Sequence, residues 1–318
     1  MHALNTNVSR VTAYAPATSG NVIVGFDILG FALSGVGDTV TVERNQRGSL
    51  LIDSIKSEDD LSTDPMANTA TVAMAAMCAD LGIAPGFSVS IKKGIRLGSG
   101  MGGSAASAVA ATVALNQFLE QPLSSQALLT YALQGEGLSC AHGRAPADNV
   151  VPCLYGGLTL SCGQSPYDVV QLPVPDLNCI LVHPHLMINT KDSRGVLDSH
   201  VPMDLHVNQS ANLAYFLVAL YEKDYPLMQR RWKDVVVEPQ RSNLITGFSA
   251  VQQAALDHGA LGASLSGSGP SMFAWAESHV DSQALACAMS EAFLQSQVSS
   301  DCWVAPICEQ PAHVMEVN

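Results

Sequence analysis

Hydrophobic and polar residues alternate with a period of two in two short segments of the first half of the chain. The segments are TVTVE at 39–43 and FSVSIKK at 87–93, where Phe87, Val89 and Ile91 share one face. Successive side chains of a strand point to opposite faces, so this alternation is typical of strands with one buried side. The pattern predicts a β-strand at each position.

Two further segments of the first half lack this alternation and are rich in small residues. The segment 69–82 ends at Gly82, and 104–119 is Ala-rich and almost free of charge. A glycine directly after an apolar run is a common helix end, and a helix without a polar face is buried on most sides. Both segments are predicted to be helices, the second one buried.

The second half of the chain mixes strand and helix patterns without a strict βαβα order. Apolar runs rich in β-branched and aromatic residues predict strands, and longer periodic runs predict helices. The predicted strands are 155–160, 179–184 and 272–277, and the predicted helices are 208–223, 246–258 and 281–296. This arrangement indicates an α+β fold and not a doubly wound sheet.

A Gly- and Pro-rich segment at 161–176 interrupts these elements. Segments of this kind often separate domains, and a chain of 318 residues is long enough for two. We therefore predict an N-terminal domain at 1–165 and a C-terminal domain at 166–318.

Composition narrows the classes of function. Hydrophobic residues make up 47% and charged residues 14%, which is typical of a folded protein and not of a disordered one. The 15 basic and 28 acidic residues leave a net charge of −13, which argues against a nucleic-acid-binding surface. No apolar run suits a membrane span or a signal peptide, and the eight cysteines form no CxxC pair. We expect a cytoplasmic protein with reduced cysteines.

The most informative segment is a glycine-rich loop between the strand at 87–93 and the helix at 104–119. Glycines allow backbone N–H groups to close around a phosphate, and the N-terminus of the following helix adds partial positive charge. The loop therefore predicts a nucleotide phosphate site. The residues predicted to bind the nucleotide are Arg96, Leu97, Gly98, Ser99, Gly100, Met101, Gly102, Gly103, Ser104, Ala105 and Ala106.

Three other patterns could account for this loop. Gly98, Gly100 and Gly103 match the GxGxxG dinucleotide fingerprint, but Glu120 ends a helix instead of the second strand that an NAD-binding oxidoreductase needs. The Walker A motif fails because Ser104 follows Gly103 where that motif has Lys. A plain Gly/Ser turn before a buried helix is the structural alternative.

The sequence GSGMGGSAAS at 98–107 resembles the phosphate loop of the galactokinase, homoserine kinase, mevalonate kinase and phosphomevalonate kinase (GHMP) superfamily. The chain most closely resembles the homoserine kinases, over nearly its whole length. Further segments match that family's motifs in the same order, namely 14–33, 135–160, 183–197, 238–248 and 262–275.

This resemblance implies a two-domain α+β fold. The N-terminal domain would carry the phosphate loop on a left-handed βαβ unit, and the C-terminal domain would be ferredoxin-like. The implied activity is the ATP- and Mg²⁺-dependent phosphorylation of L-homoserine to O-phospho-L-homoserine in threonine biosynthesis. The resemblance also allows a homodimer.

The resemblance assigns roles to three residues at the reacting centre. Ser104 and Glu136 would hold Mg²⁺, which prefers oxygen ligands. Asn149 would position the acceptor hydroxyl, where related kinases carry an Asp base. An amide cannot take up the hydroxyl proton at neutral pH, so the proton would pass to the transferred phosphate. The adjacent Asp148 is expected to be structural.

The amino-acid end of the substrate would be bound by charged and neutral groups from distant segments. Arg194 and Arg241 suit its carboxylate, because the guanidinium fork matches that group. Asp27 would pair with the ammonium, and Asn21 and Thr190 would supply neutral hydrogen bonds.

The chain departs from the family pattern at the acceptor side. Pro146 stands where homoserine kinases usually have His, and His142 would have to fill that role if the contact is kept. Gly20 stands where Ala is common. These departures leave two alternatives to a homoserine kinase, namely a kinase for another small hydroxylated acid and a catalytically silent nucleotide sensor.

Overall fold

The computed structural model describes residues 3–140, 145–162 and 167–318, and within these ranges the chain forms two sheets and ten α-helices. The strands are β1 Arg10–Gly20, β2 Leu29–Arg44, β3 Leu51–Lys56, β4 Phe87–Lys92, β5 Leu158–Ser161, β6 Val169–Leu172, β7 Leu177–Pro184, β8 Gly262–Leu265, β9 Met272–Glu277, β10 Ser300–Pro306 and β11 His313–Val317. The helices are α1 Thr69–Leu81, α2 Gly103–Asn116, α3 Ser125–Gly137, α4 Val150–Tyr155, α5 Thr190–Gly195, α6 Met203–Glu222, α7 Tyr225–Arg231, α8 Glu238–Arg241, α9 Phe248–Asp257 and α10 Ser282–Gln295, and a 3-10 turn spans Ser242–Leu244. None of these helices is long and apolar enough to cross a membrane.

The larger sheet has the strand order β11-β1-β2-β4-β3, with β5 and β6 attached beside the first part of β2. Strands β3 and β4 pair in parallel and are connected through α1, and the glycine loop follows β4 directly. Helix α2 packs on this sheet with every side chain from Ala105 to Asn116 buried. The absence of charge in its sequence follows from this burial.

The smaller sheet is antiparallel and has the order β10-β7-β9-β8. Counted along the chain, the four strands are arranged 4-1-3-2, with α10 between the third and fourth. This is the ferredoxin-like arrangement that the resemblance implied. Helices α9 and α10 supply the hydrophobic residues that cover this sheet, including Val251, Leu285 and Phe293.

The predicted α+β elements are confirmed, with differences at their ends. Strand β2 starts ten residues before the predicted segment, because its first part, Leu29–Leu33, is buried on both faces and does not alternate. Helix α6 starts five residues before the predicted 208, because Met203 and Val207 are exposed and give no amphipathic signal. The predicted division at 165/166 stays a prediction, since residues 163–166 lie outside the described ranges.

An aromatic cluster joins the two sheets. Phe31 of β2 contacts Phe273 and Trp275 of β9, with ring centroids 5.2 and 5.4 Å apart and edge-on geometry. All three side chains are fully buried. Edge-to-face aromatic pairs add to the free energy gained from burial, so this cluster fixes one sheet against the other.

We predict that Phe31→Ala lowers the free energy of unfolding by about 3–5 kcal/mol, because it leaves a cavity between two rigid sheets. Urea unfolding followed by far-UV circular dichroism measures the change. Leu294→Ala on the exposed side of α10 is the matched control and should change stability by less than about 0.5 kcal/mol. An equally small effect for both variants would contradict a role of the cluster in joining the sheets.

Candidate active site

A cavity of about 430 Å³ lies between the glycine loop, the segment after β1 and the loops of the smaller sheet. It brings together most of the residues that the sequence singled out. The predicted residues that line it are Asn21, Asp27, Arg96, Leu97, Gly98, Ser99, Gly100, Gly102, Gly103, Ser104, Glu136, Asn149, Thr190, Arg194 and Arg241. The side chains of Met101, Ala105 and Ala106 are buried in the core instead, so only their backbone atoms could contact a nucleotide.

The glycine loop contacts a second glycine-containing turn of the smaller sheet, backbone to backbone. Gly100 has φ +78°, and a Cβ there would lie 2.4 Å from the Ser266 carbonyl oxygen and 2.6 Å from that of Gly269. Ser266 Oγ donates to the Gly100 carbonyl oxygen at 2.8 Å. Only glycine fits this left-handed and crowded position. The loop therefore spans the junction between the two sheets.

A buried ion pair fixes the two ends of the loop. Asp38 of β2 is fully buried and accepts hydrogen bonds from Gly94 N–H at 3.0 Å and from Ser107 Oγ at 2.7 Å. Lys93 pairs with Asp38 and also donates to the Gly103 carbonyl oxygen at 2.8 Å. The strand end before the loop and the first turn of α2 are thereby held together.

Arg96 and Leu97, which were predicted to bind the nucleotide, contact an acidic loop that follows β3. The Arg96 guanidinium pairs with Glu58 and lies 3.0 Å from Asp59 Oδ1, and Leu97 N–H donates to Asp59 Oδ2 at 2.7 Å. The Arg96 side chain is half-exposed and that of Glu58 is exposed, so the pair between them is solvent-screened, whereas the Asp59 side chain is nearly buried. A nucleotide role for either residue stays a prediction.

Ser104 and Glu136, the predicted Mg²⁺ ligands, are in direct contact. Ser104 Oγ donates to Glu136 Oε1 at 2.9 Å, while Glu136 Oε2 is shielded from solvent and has no hydrogen-bond partner among the described residues. Burial, together with nearby Asp148, raises the Glu136 pKa from 4.5 to about 7. A buried carboxylate oxygen without a partner costs free energy that a bound cation would offset. Both side chains therefore fit Mg²⁺.

Asn149 lies at the start of α4 beside the glycine loop, next to the buried Asp148. Its Oδ1 accepts a hydrogen bond from Thr18 Oγ1 at 3.0 Å, and its Nδ2 lies 3.4 Å from Asp148 Oδ1. Asp148 Oδ2 accepts from Asn21 N–H at 2.9 Å. Burial, together with the nearby Asp27 carboxylate, raises the Asp148 pKa from 3.8 to about 7. Asp148 thus lines the cavity and also holds Asn21 and Asn149 in place through these hydrogen bonds.

The sequence assigned Asp27 and Arg194 to opposite ends of an amino-acid substrate, and the structure places them against each other. Arg194 donates to both carboxylate oxygens of Asp27, at 2.9 and 2.6 Å, and its guanidinium stacks over the Phe26 ring. Asp27 N–H in turn donates to Asn21 Oδ1 at 2.8 Å. This bidentate pair presents both charges at the cavity wall, where a zwitterion could contact each of them.

Arg241 is buried at 2% exposure, although isolated arginines are usually at the surface. It donates to the carbonyl oxygens of Ser193 at 3.0 Å and Gly267 at 3.2 Å. Among the residues that the structure describes, no acidic side chain forms an ion pair with it. Burial, together with nearby Arg194, lowers the Arg241 pKa from its usual value to about 10. The cavity wall therefore carries a buried cation without a direct ion-pair partner among the described residues, although the nearby Asp27, Asp148 and Asp234 carboxylates favour its charge.

The remaining predicted contacts lie at the edge of the cavity. Thr190 starts α5 at an exposed position, with its hydroxyl 3.5 Å from Ser268 Oγ. Pro146 lines the cavity where the family usually has His, and His142 lies outside the described residues. The sequence analysis did not identify Thr18 as a site residue. It lies in the family motif at 14–33, and no spacing or residue pattern distinguishes it from its neighbours there.

Comparison with known proteins agrees with this geometry. The family model for the GHMP kinases N terminal domain matches residues 68–157, and the model for the GHMP kinases C terminal domain matches residues 216–295. Homoserine kinase of Chloroherpeton thalassium is 38% identical over 97% of this chain and 100% of the relative. A Xylella fastidiosa homoserine kinase is 43% identical over 96% of this chain and 94% of the relative.

Solved structures give the same result. The crystal structure of homoserine kinase from Cytophaga hutchinsonii is 40% identical and has a TM-score of 0.92, covering 98% of this chain and 99% of that one. Leishmania major mevalonate kinase in complex with R-mevalonate has a TM-score of 0.71 at 17% identity, which shows a shared fold only.

The protein is a GHMP kinase, a class that transfers phosphoryl groups from ATP. This follows from its two sheets, from the glycine loop at the N-terminus of α2, and from the match to both GHMP kinase domains. At 38–43% identity over nearly the full length, the chain belongs to the homoserine kinase family. The predicted family and the predicted two-domain fold are thereby confirmed, and the NAD-binding alternative is excluded. The roles of individual residues stay predictions.

We predict that Asp148→Asn makes the protein less sensitive to pH. The raised pKa means that the folded state keeps this proton more tightly than the unfolded chain, so Asp148 lowers stability as pH rises from about 4 to 7. Between pH 4.5 and 8 the melting temperature of the wild type should fall more than that of the variant, by about 2 °C or more. Differential scanning fluorimetry without ligands measures both slopes.

Asp60→Asn is the control for this comparison, because it makes the same chemical change on an exposed loop. It should leave the wild-type slope unchanged. Parallel slopes for the wild type and Asp148→Asn would show that the buried carboxyl is not protonated preferentially in the folded state.

Proposed function

We propose that this kinase transfers the γ-phosphoryl group of Mg·ATP to the side-chain hydroxyl of L-homoserine and releases O-phospho-L-homoserine and ADP. The reaction belongs to threonine biosynthesis. The observation that carries the proposal is the buried Arg241 guanidinium, which faces the cavity without an anionic partner among the described residues and lies beside the Asp27–Arg194 pair. The carboxylate of a small amino acid would supply the direct anionic partner that Arg241 lacks, and its ammonium could pair with Asp27. The similar proteins are named homoserine kinases, which supports the same acceptor.

The nucleotide phosphates would lie on the glycine loop. All residues from Gly98 to Ser104 except Met101 line the cavity at the N-terminus of α2, where backbone N–H groups and partial positive charge would favour a phosphate. Ser104 and Glu136 would hold Mg²⁺, which, when bound, neutralises charge on the phosphate oxygens. Glu136 must be deprotonated for this, so its raised pKa couples cation binding to release of a proton.

The amino-acid end of the acceptor would lie against the part of the cavity wall formed by Asp27, Arg194 and Arg241, here called the basic wall. Its carboxylate would pair with Arg241 and Arg194, and its ammonium with Asp27, so the resident ion pair would be shared with the substrate. Asn21 holds the Asp27 backbone through its side chain, and Thr190 supplies a hydroxyl at the opening. An acceptor without both charges would leave part of this wall unpaired, which costs affinity.

The hydroxyl would meet the transferred phosphoryl group beside Asn149. The amide orients the hydroxyl oxygen for in-line attack, which breaks the bond between the γ-phosphorus and the ADP oxygen. Since the Asn149 amide cannot accept a proton at neutral pH, the hydroxyl proton passes to an oxygen of the transferred phosphoryl group. The rate then depends on alignment and on charge stabilisation.

An ADP-release assay with Mg·ATP tests the acceptor. L-homoserine should stimulate turnover, whereas L-serine, mevalonate and a reaction without acceptor should not. Strong stimulation by another hydroxylated acid would show that this acid is the acceptor. Pro146, which stands where the family usually has His, would then be the first candidate for the changed specificity. ATP binding without turnover on any acceptor would favour a nucleotide sensor. Size-exclusion chromatography with light scattering would show whether the protein forms the homodimer that the family resemblance allows.

We predict that Arg194→Ala raises the KM for L-homoserine about 10- to 100-fold, because a charge-assisted contact to the acceptor is lost. The KM for ATP should stay within about twofold, since Arg194 lies on the acceptor side of the cavity. Steady-state kinetics with each substrate varied in turn measures both constants. Arg230→Ala, an exposed arginine of α7, is the control and should change neither. A weaker ATP interaction with an unchanged homoserine KM would overturn this division of the cavity.

A further inference from the structure

Thr18 lies near the end of β1, fully buried between the glycine loop and Asn149. Its N–H donates to the Met101 carbonyl oxygen at 3.0 Å, and its Oγ1 donates to Asn149 Oδ1 at 3.0 Å. A Cβ at Gly102 would lie 2.0 Å from Thr18 Oγ1, so the hydroxyl fills the space that this glycine leaves open. Thr18 thus joins the phosphate loop, through its backbone N–H, to Asn149, through its hydroxyl.

The hydrogen-bond partners of Asn149 define the orientation of its amide. Asn149 Nδ2 donates to Asp148 Oδ1 at 3.4 Å, and Asn149 Oδ1 accepts from Thr18 Oγ1 at 3.0 Å. The amide nitrogen therefore faces Asp148, the amide oxygen faces Thr18, and the Thr18 hydroxyl is the donor. A Cβ at Gly20 would lie 2.6 Å from Asn149 Nδ2, so the backbone also encloses the amide on that side.

We propose that Thr18 is a positioning residue that holds the Asn149 amide in a single orientation for the acceptor hydroxyl. This inference rests on the proposed function, in which Asn149 orients that hydroxyl. An amide has two N–H donors and two oxygen lone pairs. Asp148 takes one donor and Thr18 takes one lone pair, which leaves one of each for the acceptor. Without the Thr18 hydroxyl, the amide can rotate or shift, and fewer encounters have the alignment that phosphoryl transfer needs.

Thr18→Val tests this role, since it keeps the branched shape and removes the donor. We expect kcat with L-homoserine to fall about tenfold, with the KM values for ATP and homoserine within about twofold of the wild type. Thr18→Ser keeps the hydroxyl and should retain most of the wild-type kcat. Thr12→Val is the matched control, because its hydroxyl bonds to Thr41 on the same strand pair and does not line the cavity.

A double-mutant cycle separates positioning from a general effect on the loop. In an Asn149→Ala background, Thr18→Val should change the residual kcat by less than about twofold, because the amide that it orients is gone. A tenfold loss that persists in this background would overturn the proposal and show that Thr18 acts through the loop alone. If Thr18→Val does not fold, Thr18→Ser and Thr18→Ala replace it, since they differ only in the hydroxyl. Equal kcat for that pair would also overturn the proposal.

The two proposals fail in different ways. Wild-type protein without homoserine-dependent turnover would refute the proposed function, whatever the variants do. Wild-type turnover that Thr18→Val matches within about twofold would refute the positioning role and leave the function intact.

Discussion

The structure depends on a close backbone contact between two glycine-containing turns. The loop around Gly100 belongs to the larger sheet, and the turn from Ser266 to Gly269 belongs to the smaller one. A Cβ at Gly100 would clash with the backbone of that turn. This contact brings the N-terminus of α2 to the junction of the sheets, where the cavity opens. The aromatic cluster around Phe31 holds the two sheets in this relation, and the Lys93–Asp38 pair fixes the two ends of the glycine loop. A phosphate site and an acceptor site can therefore share one cavity.

The charges of the cavity oppose the stability of the free protein. Glu136 and Asp148 are carboxyls with a pKa raised to about 7, and Arg241 is a buried cation whose pKa is lowered to about 10. Such groups cost folding free energy that a cation, a nucleotide and a charged acceptor would offset on binding. Perturbed groups of both signs in one cavity are common at functional sites.

Local pattern and resemblance were sufficient for the fold, the glycine loop and most cavity residues. Glycine spacing before a small-residue helix identified Gly98–Ser104, because the chemistry of a phosphate loop is contained in consecutive residues. The contacts of the acceptor side could not be predicted in this way. Thr18 bonds to a residue 131 positions later, and Asp27 pairs with an arginine 167 positions away, so no periodicity connects them. The burial of Arg241 likewise depends on packing between distant segments, which its own neighbours in the sequence do not reveal.

We infer that one cavity holds the nucleotide phosphates on the glycine loop and the acceptor on the basic wall. The sharpest test is a crystal structure with Mg²⁺, a non-hydrolysable ATP analogue and L-homoserine. We expect the γ-phosphate to lie on the loop amides, the homoserine carboxylate on Arg241, and the homoserine hydroxyl next to Asn149. Homoserine bound away from Arg241 would contradict this, as would a homoserine hydroxyl out of reach of the γ-phosphate while the nucleotide occupied the loop.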